Sequence, residues 1–386
     1  MTGFPLQADT GATGHLRQES LERLYALVER HIADGRYPGA QIALAQNGKL
    51  LIERSFGHGR LDAAAPGGVA GKADGRSLWL LYSNTKVVLA TALWKLFEEG
   101  AFRFTDRVVD HVPEFKRNGK RDITLLQVIT HQGGFPNATV PPDCWDDHEK
   151  MKTRVCNFSL EWTPGSRVHY HGLSAHWALA TVIEAVTGKD FRDYVREAVI
   201  EPLGLADDLF MGLPADANAN VADRVTEMVE PVPGGSGYRP IPENNTPEWR
   251  RAGAPGGGAY GTARGMAALY QMMLAGGELN GVRLLSPRTL AYAIRNFTDD
   301  RVDEFMGMPM HRGLGPHLRG TTPSIRGLGA IAPATAFGHG GVGSSYCWGD
   351  PESGISFVYL TNCRVPDPWH SDRLDVVSNL VHSAIL

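Results

Sequence analysis

The chain is organised around residues 80–100, whose sequence is LLYSNTKVVLATALWKLFEEG. The apolar residues of this stretch predict a helix. Gly100 closes the helix, because glycine adopts the left-handed conformation that a helix end needs. Successive helical residues rotate by about 100°, so Lys86 lies on the same stripe as the apolar residues Ala90 and Leu93. The sequence therefore predicts a lysine on the buried face of the helix.

A serine lies one helical turn before this lysine. Burial disfavours the ammonium ion and can lower the pKa of a lysine by several units, which lets the amine accept a proton from a hydroxyl. Ser83 is within reach of the Lys86 side chain and lies next to the positive end of the helix dipole. The pair predicts an activated nucleophile. The tetrapeptide alone leaves a second interpretation open, a capping serine followed by a lysine that extends to the surface.

Length and composition bound the class of protein. The 386 residues are enough for one large domain or for two lobes with substantial cores. A net charge of -4 gives no basic field, which makes nucleic acid and anionic membranes poor partners. The sequence shows neither an export signal nor an apolar run of membrane length, so we expect a cytoplasmic protein. Four cysteines without a C-x-x-C pair are expected to be free thiols.

Apolar periodicity predicts strands near both chain ends and helices between them. The predicted strands are 40–45 and 50–54, joined by the hairpin turn Asn47-Gly48, and 337–348 and 355–360. The predicted helices are 16–32, 80–100, 123–131, 174–186, 190–200, 262–274, 286–295 and 372–385. A loop is expected over residues 57–75. This order predicts a sheet built from both chain ends, with residues 1–75 and 262–386 in an α/β lobe and residues 76–261 in an inserted, mostly helical lobe.

Residues 231–261 form a long stretch rich in Pro and Gly, without predicted secondary structure. Such a run is usually a functional loop or disordered. The aromatic residues Tyr238, Trp249 and Tyr260 favour a loop that forms one wall of a substrate pocket.

Tyr170 lies in a turn just ahead of an apolar helix. A tyrosine held near a lysine can have its phenol pKa lowered enough to pass protons between nucleophile, leaving group and water. An ordinary packing tyrosine is the alternative. His169 and His171 form an H-x-H pair of the kind that zinc uses, but no further His or carboxylate stands at an obvious ligand spacing. We therefore predict no metal site.

Four glycines interrupt the predicted strand over residues 337–345, FGHGGVGSS. Glycine weakens a strand, and close approach of a ligand to the backbone is the usual reason for a cluster. A bare strand edge can offer a backbone N–H to an oxyanion. A bulge or a barrel corner is the alternative explanation.

Three motifs, taken in order, resemble those of the serine β-lactamase and penicillin-binding-protein superfamily. They are S-x-x-K at 83–86, Y-H-G at 170–172 and H-G-G at 339–341. Within it, the chain is most similar to the class C-like branch that includes the family VIII carboxylesterases and related acyltransferases. The resemblance implies an α+β fold in which an antiparallel sheet flanked by helices carries an inserted all-helical lobe, with the site between the two lobes.

The same resemblance implies roles for individual residues. Ser83 is the expected acylated nucleophile, Lys86 its proton acceptor, and Tyr170 a second base that donates a proton to the leaving group. The backbone N–H groups of Ser83 and Val342 are the expected oxyanion hole. The expected substrate-binding residues are His171, Tyr238, Trp249, His339, Gly340 and Gly341.

Two residues depart from the lactamase pattern. Gly172 stands where a lactamase usually has Asn, which would contact the acyl amide, and His339 stands where it usually has Lys, which would attract the β-lactam carboxylate. We therefore expect a serine hydrolase that cleaves small carboxylic esters through an acyl-enzyme, without metal or cofactor. Acyl transfer to an amine or alcohol is the alternative, and a β-lactamase or D-amino peptidase is a weaker one. The oligomeric state is left open.

Overall fold

A computed structural model describes residues 3–9, 16–62, 68–214, 219–323 and 326–386. Over these residues the helices are α1 (Gln18–Ala33), α2 (Thr85–Glu98), α3 (Val108–His111), α4 (Leu125–Ile129), α5 (His148–Cys156), α6 (Ser174–Thr187), α7 (Phe191–Val195), α8 (Ala219–Ala222), α9 (Pro242–Asn245), α10 (Pro247–Ala252), α11 (Ala263–Leu274), α12 (Pro287–Ala293) and α13 (Trp369–His382). The strands are β1 (Gln7–Ala8), β2 (Gly39–Gln46), β3 (Lys49–Leu61), β4 (Val69–Lys72), β5 (Trp79–Leu80), β6 (Leu209–Phe210), β7 (Val229–Pro231), β8 (Tyr238–Pro240), β9 (Tyr260–Gly261), β10 (Glu278–Leu279), β11 (Val282–Arg283), β12 (Val302–Asp303), β13 (Met308–Pro309), β14 (His317–Leu318), β15 (Phe337–Gly341), β16 (Ser345–Asp350) and β17 (Ile355–Thr361).

The main sheet joins the two ends of the chain, as predicted. Its strand order is β1-β3-β2-β17-β16-β15-β14, with β4 paired to β3. Strand β17 runs antiparallel to β2, so the last strand of the sequence lies beside the first long one. The turn between β2 and β3 is Asn47-Gly48, and both residues have the positive φ that the hairpin requires. Apart from the parallel pair β1–β3, the pairings within this sheet are antiparallel.

Helices cover both faces of the sheet. Because side chains alternate along a strand, Phe357 of β17 packs with α1 and α13, whereas its neighbour Val358 packs on the opposite face with α11. Helix α11 contacts β2, β16 and β17. The sheet is therefore buried on both sides, which holds β15, the neighbour of the edge strand β14, in a fixed position relative to the helices.

Helix α2 is the central helix of the larger core. Every side chain from Thr85 to Trp94 is buried, and the Trp94 Nε1–H donates to the Leu314 carbonyl over 2.8 Å. The prediction that one face of the helix is buried was therefore too narrow. All faces are buried over these residues, and the first partly exposed side chain is Lys95. Gly100 follows the helix with a φ of 80°, as its role in ending the helix requires.

Three local predictions were wrong. Residues 337–348 form the hairpin β15–β16 instead of one strand, because Gly343 (φ 65°) reverses the chain. Residues 57–75, expected as a loop, hold the end of β3 and strand β4, although 63–67 lie outside the described residues. Residues 231–261 contain the short elements β7 to β9, α9 and α10, whose polar, Pro-containing sequences gave no periodic signal.

The structure can be compared with the predictions of free cysteines and of no membrane-spanning segment. Cys144, Cys156, Cys347 and Cys363 are all free, as expected, and all four are buried. Among the described residues, the longest apolar helices fall short of what crossing a bilayer requires.

Candidate active site

Ser83 lies in the short 3-10 turn that precedes α2. Its neighbour Tyr82 has a φ of 44°, a conformation that costs free energy in a non-glycine residue and has to be held by its surroundings. The Tyr82 hydroxyl donates to Asn244 Oδ1 over 2.7 Å. On the other side, Asn84 Nδ2 donates to Ser345 Oγ of β16 over 2.9 Å. The turn that presents Ser83 is thus fixed at both ends.

Lys86 is fully buried, with its Nζ 3.0 Å from Ser83 Oγ. The amine also donates to the Gly172 carbonyl over 2.7 Å and to the Gly256 carbonyl over 2.6 Å. Burial, helped by the charge of Arg312, lowers the pKa of Lys86 well below its ordinary value. A neutral amine has two N–H bonds and one lone pair. The two carbonyls accept the N–H bonds, which leaves the lone pair for the Ser83 hydroxyl.

Tyr170 completes the group, because its hydroxyl donates to Ser83 Oγ over 2.7 Å. The predicted direction of its pKa shift was wrong. Burial raises the pKa of Tyr170 to about 12, against the opposing effects of the Ser83 hydrogen bond and of Arg312. A neutral Lys86 supplies no positive charge to lower it, although its Nζ lies 5.0 Å from the ring centre. The phenol is therefore a proton donor at neutral pH.

Strand β15 ends beside the turn that carries Ser83. A Cβ on Gly341 would lie 2.8 Å from the Leu81 carbonyl oxygen, so only glycine allows this approach. Val342 follows, is 57% exposed and lines the same cavity as Ser83. An oxyanion hole formed by the Ser83 and Val342 backbones is compatible with this placement and stays a prediction.

His339 faces the same cavity from β15, next to the ring of His317 on β14 at a centroid distance of 4.0 Å. Its Nδ1 lies 2.9 Å from the Gly340 carbonyl oxygen, which can only accept, so Nδ1 carries the proton. Burial, the largest influence, helped by the charge of Arg312, lowers the pKa of His339 well below its ordinary value. His339 is thus neutral and does not replace the charge of the lactamase lysine.

A cavity of about 1120 Å³ surrounds these groups. Besides Ser83 and Tyr170, it is lined by Trp249, Gly340 and Gly341, whose role in substrate binding stays a prediction. The cavity is larger than the upper end of the range for drug-sized ligands, roughly 1,000 Å³.

Two expected substrate-binding residues do not line this cavity, so their assignment is corrected. His171 is fully buried, and its Nε2 accepts the Phe135 N–H over 3.1 Å. Its Nδ1–H donates to the His169 carbonyl over 2.7 Å, which fixes the loop that carries Tyr170. Tyr238 instead packs against the core beneath α1 and α13, because β8 pairs with β7 and turns this ring inward.

A model of the Beta-lactamase family matches residues 24–379. The chain belongs to this family. The esterase/beta-lactamase LipL of Mycobacterium tuberculosis is 30% identical over 354 residues, covering 85% of this chain and 77% of LipL. A penicillin-binding-protein homologue from Caulobacter crescentus has a TM-score of 0.79 at 25% identity, covering 95% of this chain and 98% of that one. A family VIII carboxylesterase has a TM-score of 0.75 at 27% identity, covering 93% and 96% respectively.

These similarities confirm the family and the α+β fold that the three motifs indicated. Several residues around the beta-lactamase-family motifs were missed from the sequence. They are the carbonyl of Gly256, the imidazole of His317, and the buried pair Asp303 and Arg312 behind Tyr170. The chain pattern around these residues contains no motif or periodicity that could have located them.

Among the described residues, ligand atoms close enough to share a metal ion occur at His148, Glu184 and Asp190, a group that includes neither histidine of the H-x-H pair. Arg192 also pairs with this group, since its Nη2 lies 2.7 Å from Asp190 Oδ2, the oxygen that lies 3.1 Å from His148 Nε2. Hydrogen bonds that the His148 ring donates to the carboxylates of Asp190 and Glu184 raise the pKa of His148 to about 10. His148 is therefore an imidazolium that pairs with the carboxylates of Glu184 and Asp190.

Replacing His148 with asparagine is therefore expected to lower Tm in a pH-dependent way. The pKa of His148 is higher in the folded chain than its unfolded value, so its contribution is complete below about pH 6.5 and is lost as pH rises through about 10. Thermal unfolding at pH 6 should show a deficit on the order of 2 kcal/mol after allowance for solvent screening. An equal deficit at pH 6 and above pH 10 would contradict this assignment.

Proposed function

We propose that this chain is a serine hydrolase that cleaves carboxylic esters through an acyl-enzyme on Ser83. The observation that carries the proposal is the position of Ser83 Oγ, 3.0 Å from the buried amine of Lys86 and 2.7 Å from the phenol of Tyr170. A hydroxyl held between a neutral base and a proton donor has the partners that acyl transfer needs. The esterase names among its relatives support this class of reaction.

In the proposed reaction, Ser83 Oγ forms a bond to the ester carbonyl carbon as its proton passes to Lys86 Nζ. The backbone N–H groups of Ser83 and Val342 stabilise the oxyanion. Tyr170 protonates the departing alkoxide while the ester C–O bond breaks, and the Lys86 ammonium restores the phenol proton. A water molecule then attacks the acyl carbon and passes a proton to Lys86. The bond from that carbon to Ser83 Oγ breaks, and the Lys86 ammonium returns the proton to Oγ as the acid is released.

Two features of the site favour esters over β-lactams. Gly172 carries no amide to contact an acyl amide, and a Cβ there would meet no atom within 4 Å. The space that an asparagine side chain would fill is therefore open to substrate. His339, neutral in its buried position, offers no fixed charge to a β-lactam carboxylate.

The charges in the cavity wall favour an uncharged substrate. Among the described residues that line it, the arginines are Arg239, Arg326 and Arg364, and no lysine lines it. Arg239 and Arg364 are both paired with Glu230. Arg326 is paired with Asp367 over 2.8 Å. A carboxylate on the substrate would thus meet cations that already have partners, and its desolvation would lack compensation.

A matched pair of esters tests this expectation. We expect kcat/KM for 4-nitrophenyl pentanoate to exceed that for 4-nitrophenyl hemisuccinate by roughly tenfold or more, because an unpaired charge costs more than 1.4 kcal/mol of binding free energy. The two acyl groups have similar length and differ in the terminal carboxylate. Equal values, or a preference for the hemisuccinate, would indicate a free cation in the cavity.

The nucleophile itself is tested with intact-protein mass spectrometry after treatment with a serine-directed phosphonate and, separately, with slowly hydrolysed esters. One adduct per chain is expected on the wild type and none on Ser83→Ala. Undiminished labelling of Ser83→Ala would end the proposal. Ser344 and Ser345 lie buried in the hairpin β15–β16. Variants with alanine at these two serines are the controls and should still be labelled.

Acyl transfer is a second candidate that the cavity volume favours. A space of about 1120 Å³ accommodates an acyl group together with an amine or alcohol acceptor, and the wall formed by Pro231 to Gly234 and Trp249 would limit the access of water. Product analysis with butylamine or benzyl alcohol in competition with water separates the two reactions. Formation of the free acid alone, whatever acceptor is present, excludes the transferase.

A further inference from the structure

We infer that Asp303 is a positioning residue that couples Tyr170 to the part of the cavity wall formed by the hairpin β12–β13. The inference rests on the proposed function, because it assigns Asp303 an effect on the proton donor of that reaction. Asp303 does not line the cavity, so it acts through other residues.

The contacts of the Asp303 carboxylate join three elements. Its Oδ1 accepts the backbone N–H of Tyr170 over 3.2 Å. The same oxygen accepts the backbone N–H groups of Phe305 over 3.1 Å and Met306 over 3.2 Å, at the tip of the hairpin. Its Oδ2 accepts from Arg312 Nε over 3.1 Å and from Arg312 Nη2. One buried carboxylate therefore fixes the Tyr170 backbone and the hairpin tip at the same point.

Arg312 extends this link to the Tyr170 ring. Its guanidinium carbon lies 5.1 Å from the ring centre, within the range of a cation–π contact. Both members of the ion pair are almost inaccessible to water, with side-chain exposures of 2% for Arg312 and 0% for Asp303. A buried ion pair is a poor source of stability compared with apolar packing. A requirement to hold Tyr170 in place accounts for its presence here.

The hairpin tip is where substrate would touch this network. Phe305 is 63% exposed, and both Phe305 and Met306 line the cavity. The Phe305 ring lies 5.9 Å from the Tyr170 ring, centre to centre. A substrate group packed on Phe305 thus lies next to the phenol that donates to Ser83. A shift of the tip would reach the phenol through the shared hydrogen bonds to Asp303.

The charges of the pair act on the phenol in opposite directions. Arg312 lowers the pKa of Tyr170 and Asp303 raises it, while burial remains the dominant influence. Removing the Asp303 charge leaves the lowering effects of the Ser83 hydrogen bond, Arg312 and Arg326 without this opposing charge. The pKa of the phenol should then fall, which moves the alkaline limit of activity to lower pH.

The experiment is a double-mutant cycle of Asp303→Asn and Tyr170→Phe, with hydrolysis of an alkyl ester as the readout. We expect Asp303→Asn to lower kcat by about a hundredfold with little change in KM, since a misplaced proton donor affects the chemical step. The pH at which the activity of Asp303→Asn falls off on the alkaline side should also be lower than in the wild type. In the Tyr170→Phe background, Asp303→Asn should lower kcat by less than about threefold, because its target hydroxyl is already gone.

Asp208→Asn is the matched control. Asp208 is a buried carboxylate paired with Arg264 over 2.8 Å, and neither residue lines the cavity. This variant should share any loss of Tm while keeping the wild-type pH profile. If Asp303→Asn does not fold, Arg312→Lys provides the second variant, with the same expected fall in kcat, because lysine cannot reproduce the two-point contact with Asp303.

Unchanged kcat in the folded variants, or equal losses in the wild-type and Tyr170→Phe backgrounds, would overturn the inference. A wild-type enzyme that hydrolyses no ester and takes no phosphonate would instead contradict the proposed function. The two failures are therefore distinguishable.

Discussion

Replacing Lys86 with methionine is expected to lower kcat/KM for ester hydrolysis by about a hundredfold to ten-thousandfold, the range that a positioned general base contributes. Methionine is similar in length and apolar, so it suits a site from which water is excluded. It has no lone pair able to take the Ser83 proton. Steady-state kinetics on a neutral ester, with Tm measured in parallel, provide the test.

Lys95→Met is the matched control for this substitution. Lys95 lies on the same helix, is partly exposed and pairs with Glu99 over 2.7 Å. An exposed pair of this kind contributes little to stability, so activity and Tm should both stay near the wild-type values. A folded Lys86→Met variant within tenfold of the wild type would show that another group removes the Ser83 proton.

Replacing Tyr170 with phenylalanine should have an effect that depends on the leaving group. Because its pKa of about 12 keeps the phenol protonated, its expected part is to donate a proton to the departing oxygen. An alkyl ester, whose alkoxide needs that proton, should lose about a hundredfold to a thousandfold in kcat/KM. A 4-nitrophenyl ester, whose leaving group departs as a stable anion, should lose far less.

Phenylalanine keeps the ring contacts of Tyr170 with Phe305 and Arg312, so the comparison isolates the hydroxyl. The measurement is the ratio of kcat/KM between variant and wild type for the two esters. Equal ratios would mean that the phenol orients Ser83 without donating to the leaving group.

The parts of the site that are local in sequence were predictable. Ser83 and Lys86 are one helical turn apart, so the apolar pattern around them was enough to predict a buried amine beside a hydroxyl. Tyr170 lies 87 residues after Ser83 in the chain. No periodicity spans that gap, and Tyr170 was assigned through its resemblance to a known motif.

The errors came from quantities that depend on the assembled fold. The direction of the Tyr170 pKa shift results from burial, the Ser83 hydrogen bond and the charges of Arg312, Asp303 and Arg326, of which burial is the largest influence. The amount of hydration that each titratable group loses on folding cannot be read from the sequence. His171 was misplaced for a similar reason, because its partner, the Phe135 N–H, comes from a separate loop.

In the fold, too, features that are local in sequence were predictable and features that depend on distant contacts were not. The sheet assembled from both chain ends was predictable, since β2, β3 and β17 carry strong apolar patterns and the Asn47-Gly48 turn is local. The hairpin β15–β16 was not predictable, because its turn glycine, Gly343, lies in a stretch that contains three other glycines. The sequence therefore did not show which glycine reverses the chain. The ion pair of Asp303 and Arg312 joins two polar segments that look like ordinary surface in the sequence.

The central claim is that Lys86 is uncharged when it meets Ser83, and the pH dependence of phosphonate labelling at Ser83 tests it most directly. The labelling rate, followed by intact mass from about pH 5 to pH 11, should rise through a single inflection far below 10.5, the ordinary pKa of a lysine. Lys86→Met should remove that inflection along with most of the rate. An inflection near 10.5, or a Lys86→Met variant that labels as fast as the wild type, would contradict the account.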